Sequence, residues 1–200
     1  YGLNIFNRNN NNVEVYKSTN SGLQSNSIFC IQPDTEGNLW LGTNNGPYIY
    51  LKNSNSFVSF SSYTGEDLNK YFKNNRTTDI LFDNDIIWIT TLNGLFKYEN
   101  EKLKVYTKNS FQNSIISNDA FKIIKRSKND YWIATLNGLS RFNPEKEEFR
   151  NYTNENEQIS NNSVLTLYES QNKTLWIGTG TGLNKYIPEK DSFVYYTSQS

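Results

Sequence analysis

Histidine and methionine are absent from the 200 residues, and cysteine occurs once, as Cys30. Without histidine or a second cysteine there is no zinc site of the usual nitrogen and sulfur donors, and no cofactor or metal is expected. Nucleophilic catalysis by a Ser-His or Cys-His pair is excluded for the same reason. A lone cysteine cannot form an internal disulfide, so cysteine usage does not set the redox compartment. Charge of one sign is missing too: 20 basic and 20 acidic side chains cancel. That balance leaves no electrostatic footprint for nucleic acid or for an anionic membrane. No apolar run approaches the ~18 residues of a membrane span, and no signal peptide is seen. With no methionine even at position 1, the chain reads as a piece of a longer protein, so a missing targeting segment says nothing of location. Hydrophobic residues are only 36%, while aromatics reach 15%, with 14 Tyr and 12 Phe. Such a balance suits many short strands packed through aromatic and β-branched side chains. Asparagine is abundant, with a run over Asn9–Asn12; turn formation and genome base composition both account for it.

What is present is a repeat. Four segments align on tryptophan: "LWLGTNNGPYIY" (39–50), "IWITTLNGLFKY" (87–98), "YWIATLNGLSRF" (131–142) and "LWIGTGTGLNKY" (175–186). Trp40, Trp88, Trp132 and Trp176 are spaced by 48, 44 and 44 residues, and Gly46, Gly94, Gly138 and Gly182 each follow by six. A headless fifth copy, "YGLNIF", opens the chain. Apolar pairs three residues apart come next, as in Phe57/Phe60 and Phe149/Tyr152, and alternating runs such as "AFKIIK" (120–125) precede each Trp. Every unit therefore contains four short runs separated by polar turns, with no convincing helical period. A four-stranded unit of roughly 40–50 residues, repeated, is the signature of a β-propeller blade. The expected fold is all-β, a β-propeller fragment of tandem four-stranded antiparallel blades. The boundaries read as a half blade at 1–17 and full blades at 18–61, 62–107, 108–153 and 154–200.

The stretch from Asp34 to Gly46, D-x-x-G-N-L-W-L-G-T-x-N-G, resembles the two-component regulator propeller repeat. Only the Trp40 copy keeps the Asp and Gly before the Trp; the others read "DNDIIW", "SKNDYW" and "QNKTLW". The resemblance implies part of the periplasmic sensor region of a hybrid two-component histidine kinase of the Bacteroidetes type. It further implies a carbohydrate-responsive signalling role, with the kinase and membrane anchor outside these residues. A generic glycan- or protein-binding propeller without signalling is the alternative. An Asp-box sialidase is disfavoured by the spacing of Asp34 and by the few arginines.

Each repeated feature has two readings. The tryptophans are wedges between blades or sugar-stacking rings. The glycines close hairpins, since Asn-Gly tolerates positive φ; a phosphate cradle would need a following helix, and none is seen. The acidic clusters "PEKEE" (144–148) and "PEKD" (188–191) read as solvated hairpin tips.

Differences between copies carry the functional expectation. The connection from the fourth run to the next Trp is longest between Phe60 and Trp88, where "SSYTGEDLNKYFKNNR" (61–76) supplies Tyr63, Tyr71, Phe72, Lys73 and Arg76. The next longest holds Phe111. On the face of the Asn-Gly turns, Tyr63, Tyr71, Phe72, Arg76 and Phe111 are candidate contacts for a sugar or anionic sugar; pinning their own loop is the competing role. Four units plus a half leave at least one apolar blade face exposed, and a second copy is expected to cover it. A closed four-bladed ring with a frayed N-terminus is the other arrangement.

Overall fold

The computed structural model describes residues 1–109, 113–155 and 158–197. A hairpin of β1 (Leu3–Asn7) and β2 (Asn12–Tyr16) is followed by four sheets of four strands. The first sheet is β3 (Ile28–Pro33), β4 (Leu39–Thr43), β5 (Gly46–Leu51) and β6 (Ser56–Ser59). Two short helices intervene, α1 (Phe60–Thr64) and α2 (Asn69–Phe72). The second sheet is β7 (Thr77–Asp83), β8 (Ile86–Thr91), β9 (Gly94–Glu99) and β10 (Lys102–Tyr106). The third is β11 (Ala120–Ser127), β12 (Asp130–Thr135), β13 (Gly138–Asn143) and β14 (Glu148–Tyr152). The fourth is β15 (Val164–Glu169), β16 (Leu175–Thr179), β17 (Gly182–Ile187) and β18 (Ser192–Thr197). Within each sheet the strands lie side by side in chain order, the up-and-down arrangement of a propeller blade. Contacts divide the chain into two compact units, Tyr1–Ile87 and Trp88–Ser200.

In the first unit Leu3, Ile5 and Tyr16 of the hairpin cover Leu41, Tyr48 and Phe57 of the first sheet. The opposite face of that sheet sends Trp40 against Phe82 of β7, edge to face at 5.3 Å. In the second unit Trp88 meets Tyr131 at 5.1 Å and Phe142 at 5.8 Å. Trp132 meets Tyr186 at 4.7 Å across the next interface, in a core shared with Leu139, Leu167 and Ile177. Trp40, Trp88 and Trp132 are 2%, 0% and 0% exposed, so they serve as wedges and present no ring to a ligand. Replacing one with Ala would cost about 3–5 kcal/mol. Trp176 is only half-buried, and on its side of the last sheet Tyr168, Leu183, Val194 and Tyr196 are exposed.

The repeated glycines answer to more than the positive φ that their turn context suggests. Each is the first residue of a third strand, and the turn itself is held by the threonine ending the second strand. Thr43, Thr91, Thr135 and Thr179 donate Oγ1 hydrogen bonds to the carbonyls of Gly46, Gly94, Gly138 and Gly182 at 2.7–3.1 Å. In three copies the threonine also accepts from the backbone N–H of Asn45, Asn93 or Asn137. A side chain at Gly94, Gly138 or Gly182 would run into the carbonyl oxygen of the fourth strand, with Cβ 2.6, 2.8 and 2.5 Å from Tyr106, Tyr152 and Tyr196. Positive φ is found at Gly46, Gly94 and Gly138 but not at Gly182, so close approach is the shared constraint.

Asparagine has a structural use at the outer hairpins. Asn11, Asn55 and Asn100 (with its neighbour Glu101) take positive φ between third and fourth strands, and Glu147 and Asp191 do so in the remaining two copies. The acidic hairpins are not merely solvated tips. Glu147 pairs with Lys104 of the preceding blade. Asp191 accepts from Tyr152 at 2.8 Å and Tyr186 at 2.7 Å and pairs with Arg150. Burial raises the Tyr186 phenol to about 12, aided by its bond to Asp191. Burial works to raise the Asp191 carboxyl, but the two phenols and the Arg150 charge hold it below the usual carboxylate range.

Candidate functional site

The 61–76 connection breaks the pattern of its sisters. In three connections an asparagine side chain accepts a backbone N–H from the start of the same connection: Asn26 from Ser18, Asn118 from Lys108 and Asn162 from Asn154. Asn75 is the counterpart here, but Ser62 N–H is taken by Ser59 Oγ, which caps α1. Asn75 Oδ1 is buried without a partner, while its amide donates to Tyr71 O at 2.9 Å. The extra residues fold as two single helical turns, α1 closed by Gly65 in the left-handed conformation. Helices this short carry no readable period, so the sequence signals only a long connection.

The insertion is clamped to the 43–46 turn. Gly46 donates its N–H to Asn75 O at 3.0 Å, and Phe72 sits where a Gly46 side chain would be. Arg76 donates to Asn44 Oδ1 at 3.2 Å and lies 4.4 Å above the Phe29 ring. Between insertion and turn lies a cleft of about 370 Å³. Its apolar wall is made by Pro47, Tyr48, Phe60 and Phe72, all buried. Its polar lining comes from Gln24, Asn45, Ser59, Ser61, Asn69, Lys73 and Asn74. Among the described residues, the side chains of Gln24, Ser61, Asn69, Lys73 and Asn74 make no hydrogen bond or ion pair within the protein. Asn45 spends one amide hydrogen on Gln24 O and keeps its side-chain oxygen.

The sequence-predicted residues are distributed unevenly around this cleft. Phe72 lines it. Tyr63 instead lies edge-on to Trp40 at 5.3 Å and is 43% exposed; burial raises its phenol, with the Glu36 and Asp34 charges adding. Tyr71 is half-buried beneath the Lys70 ammonium, 4.9 Å from its ring. Arg76 holds Asn44, next to the lining residue Asn45. Phe111 lies outside the described residues. Sequence reasoning passed over Gln24, Asn45, Asn69 and Asn74, because amides in an asparagine-rich chain give no contrast.

A second groove, of about 410 Å³, lies in the other unit beside Arg141, Lys146, Glu148 and Arg150. Its guanidinium groups are already used: Arg141 donates to Asp130 at 2.6 Å, and Arg150 pairs with Asp191. The cleft under the insertion is the better candidate because its polar groups remain unspent.

The family model for the two component regulator propeller matches residues 22–45 and 158–181. Two of the chain's repeats match the two-component regulator propeller. The two matched regulator-propeller segments cover the Trp40 and Trp176 copies, which have the shortest connections; the blade with the 61–76 insertion is not matched. No curated protein matches the sequence. Among solved structures, the chain is similar to the extracellular domain of BT3049 from B. thetaiotaomicron, described as a hybrid two component system. Identity is 24% and the TM-score 0.78, over 99% of this chain and 26% of that one. The chain thus spans about a quarter of that extracellular domain. It is also similar in fold to a chain of the mitotic checkpoint complex, at 12% identity and a TM-score of 0.67, covering 98% and 58%. YCF48 from Cyanidioschyzon merolae gives 10% identity and a TM-score of 0.59, covering 89% and 58%. Among the described residues, no helix is long and apolar enough to cross a membrane.

Proposed function

We propose that the chain is part of the ligand-sensing, periplasmic region of a membrane-anchored hybrid two-component sensor, and that its ligand is an oligosaccharide. The regulator-propeller repeats support the signalling half of this reading. The cleft supports the ligand half, and it is the observation that carries the proposal. Unspent amides and hydroxyls facing an apolar wall match a molecule with many hydroxyls and apolar ring faces. The role is binding rather than catalysis. Signalling then follows from ligand affinity that differs between two arrangements of a sensor dimer, with a histidine kinase elsewhere in the parent protein. A second copy covers the exposed Trp176 side of the last blade, which continues the chemistry of the Trp88 and Trp132 interfaces. Calorimetric titration with an oligosaccharide panel tests the ligand assignment. Gln24→Ala and Asn69→Ala should each weaken binding about 5–10-fold, as expected for a lost hydrogen bond of about 1 kcal/mol. Unchanged affinity in both variants would place the ligand elsewhere.

A further inference from the structure

The charge of the lining narrows the ligand class, and this step rests on the oligosaccharide reading above. Among the described residues lining the cleft, Lys73 is the charged one, and none is a carboxylate. Among the described residues the Lys73 ammonium has no ion pair or hydrogen bond, although acidic residues equal basic ones over the chain. From Asn69 to Arg76 the insertion carries Lys70, Lys73 and Arg76 and no acid. Arg76 is held in place by Asn44 and the Phe29 ring, and among the described residues no carboxylate pairs with its guanidinium. In the second groove, by contrast, both arginines are paired with carboxylates, and a carboxylate, Glu148, shares the lining with Lys146. A cation left unpaired beside unspent amides is an arrangement that an anionic group on a polyhydroxylated ligand completes.

We propose that the cleft selects acidic oligosaccharides, those bearing a uronate carboxylate or a sulfate, with Lys73 as the contact for the anionic group. The test is titration of the whole chain with galacturonic acid trimers and with galactose trimers, at low and high sodium chloride. The acidic trimer should bind about tenfold more tightly at low salt, and the advantage should shrink as salt screens the charge. Lys73→Met should bring the two trimers to equal affinity. Lys146→Met, on the second groove, should change neither. Equal binding of both trimers by the unaltered chain, or an acidic preference that survives Lys73→Met, overturns the selectivity while leaving the oligosaccharide reading intact. Binding of neither trimer, nor of any member of the broader panel, overturns both. Sulfated and uronate-bearing trimers of equal charge, compared side by side, separate the two kinds of anion.

Discussion

Trp40 differs from its sisters by one hydrogen bond. Its indole N–H donates to Asp34 Oδ2 at 3.2 Å, whereas the indoles of Trp88 and Trp132 are buried without an acceptor. Among the three enclosed tryptophans, the copy that keeps both the Asp and the Gly of the preceding turn is thus the one with a satisfied wedge, which gives the irregular motif a physical meaning. Asp34 also accepts from the Asn38 amide at 2.9 Å and from the backbone of Glu36 and Asn38. Burial works to raise the Asp34 carboxyl, but these donors hold it below its ordinary 3.8. A depressed folded-state value means its contribution is complete above 3.8 and fades as pH falls through the lower folded value. Asp34→Ala should therefore lower stability by about 1–2 kcal/mol at neutral pH. The gap to the unaltered chain should close toward the acid end of a series of urea melts; a gap independent of pH would mean that the carboxylate charge plays no part. Trp spacing was plain in the sequence, and so was the loss of this Asp from three copies. The threonine locks and the close approach at Gly182 were not, because the Asn-Gly and Thr-Gly turns offer a sufficient local explanation that hides the contact with the fourth strand.

At the scale of elements, the insertion of α1 and α2 forms one wall of the proposed cleft. Its unusual length was legible, and the pressure of Phe72 on Gly46 was not, since that contact joins residues far apart in the chain. Tyr63 and Phe72 look equivalent in sequence, yet one lies against Trp40 and the other lines the cleft. Gly46→Ala places Cβ 2.5 Å from Phe72 Cβ, on a backbone at φ +82°. It should cost at least about 1 kcal/mol and push α2 away from the turn. Amide hydrogen exchange should then quicken at the Gly46 N–H, which bonds to Asn75 O. Unchanged protection there would show that the insertion is not clamped as described.

For the molecule as a whole, blade stacking accounts for the fate of all four tryptophans. Trp40, Trp88 and Trp132 are enclosed, while Trp176 faces the uncovered side of the last sheet with Tyr168 and Tyr196. Acrylamide should quench Trp176 fluorescence and little else in dilute solution, and Trp176→Phe should remove that quenchable fraction. If a second copy covers this face, raising the protein concentration should protect Trp176 while light scattering reports a larger species. A monomer with exposed Trp176 at high concentration would remove self-association from the account. The blade count was legible because each unit announces itself with a Trp; the cleft was less so, because it is built from asparagines, serines and a glutamine that recur everywhere in the chain.

The central claim is that the cleft beneath the 61–76 insertion is the ligand site. Side-chain amide resonances followed by NMR during oligosaccharide titration test it most directly. The account predicts saturable shifts at Gln24, Asn45, Asn69 and Asn74, the amides lining the cleft. Shifts confined to the groove around Asn129 and Asn143, or none at all across the panel, would contradict it.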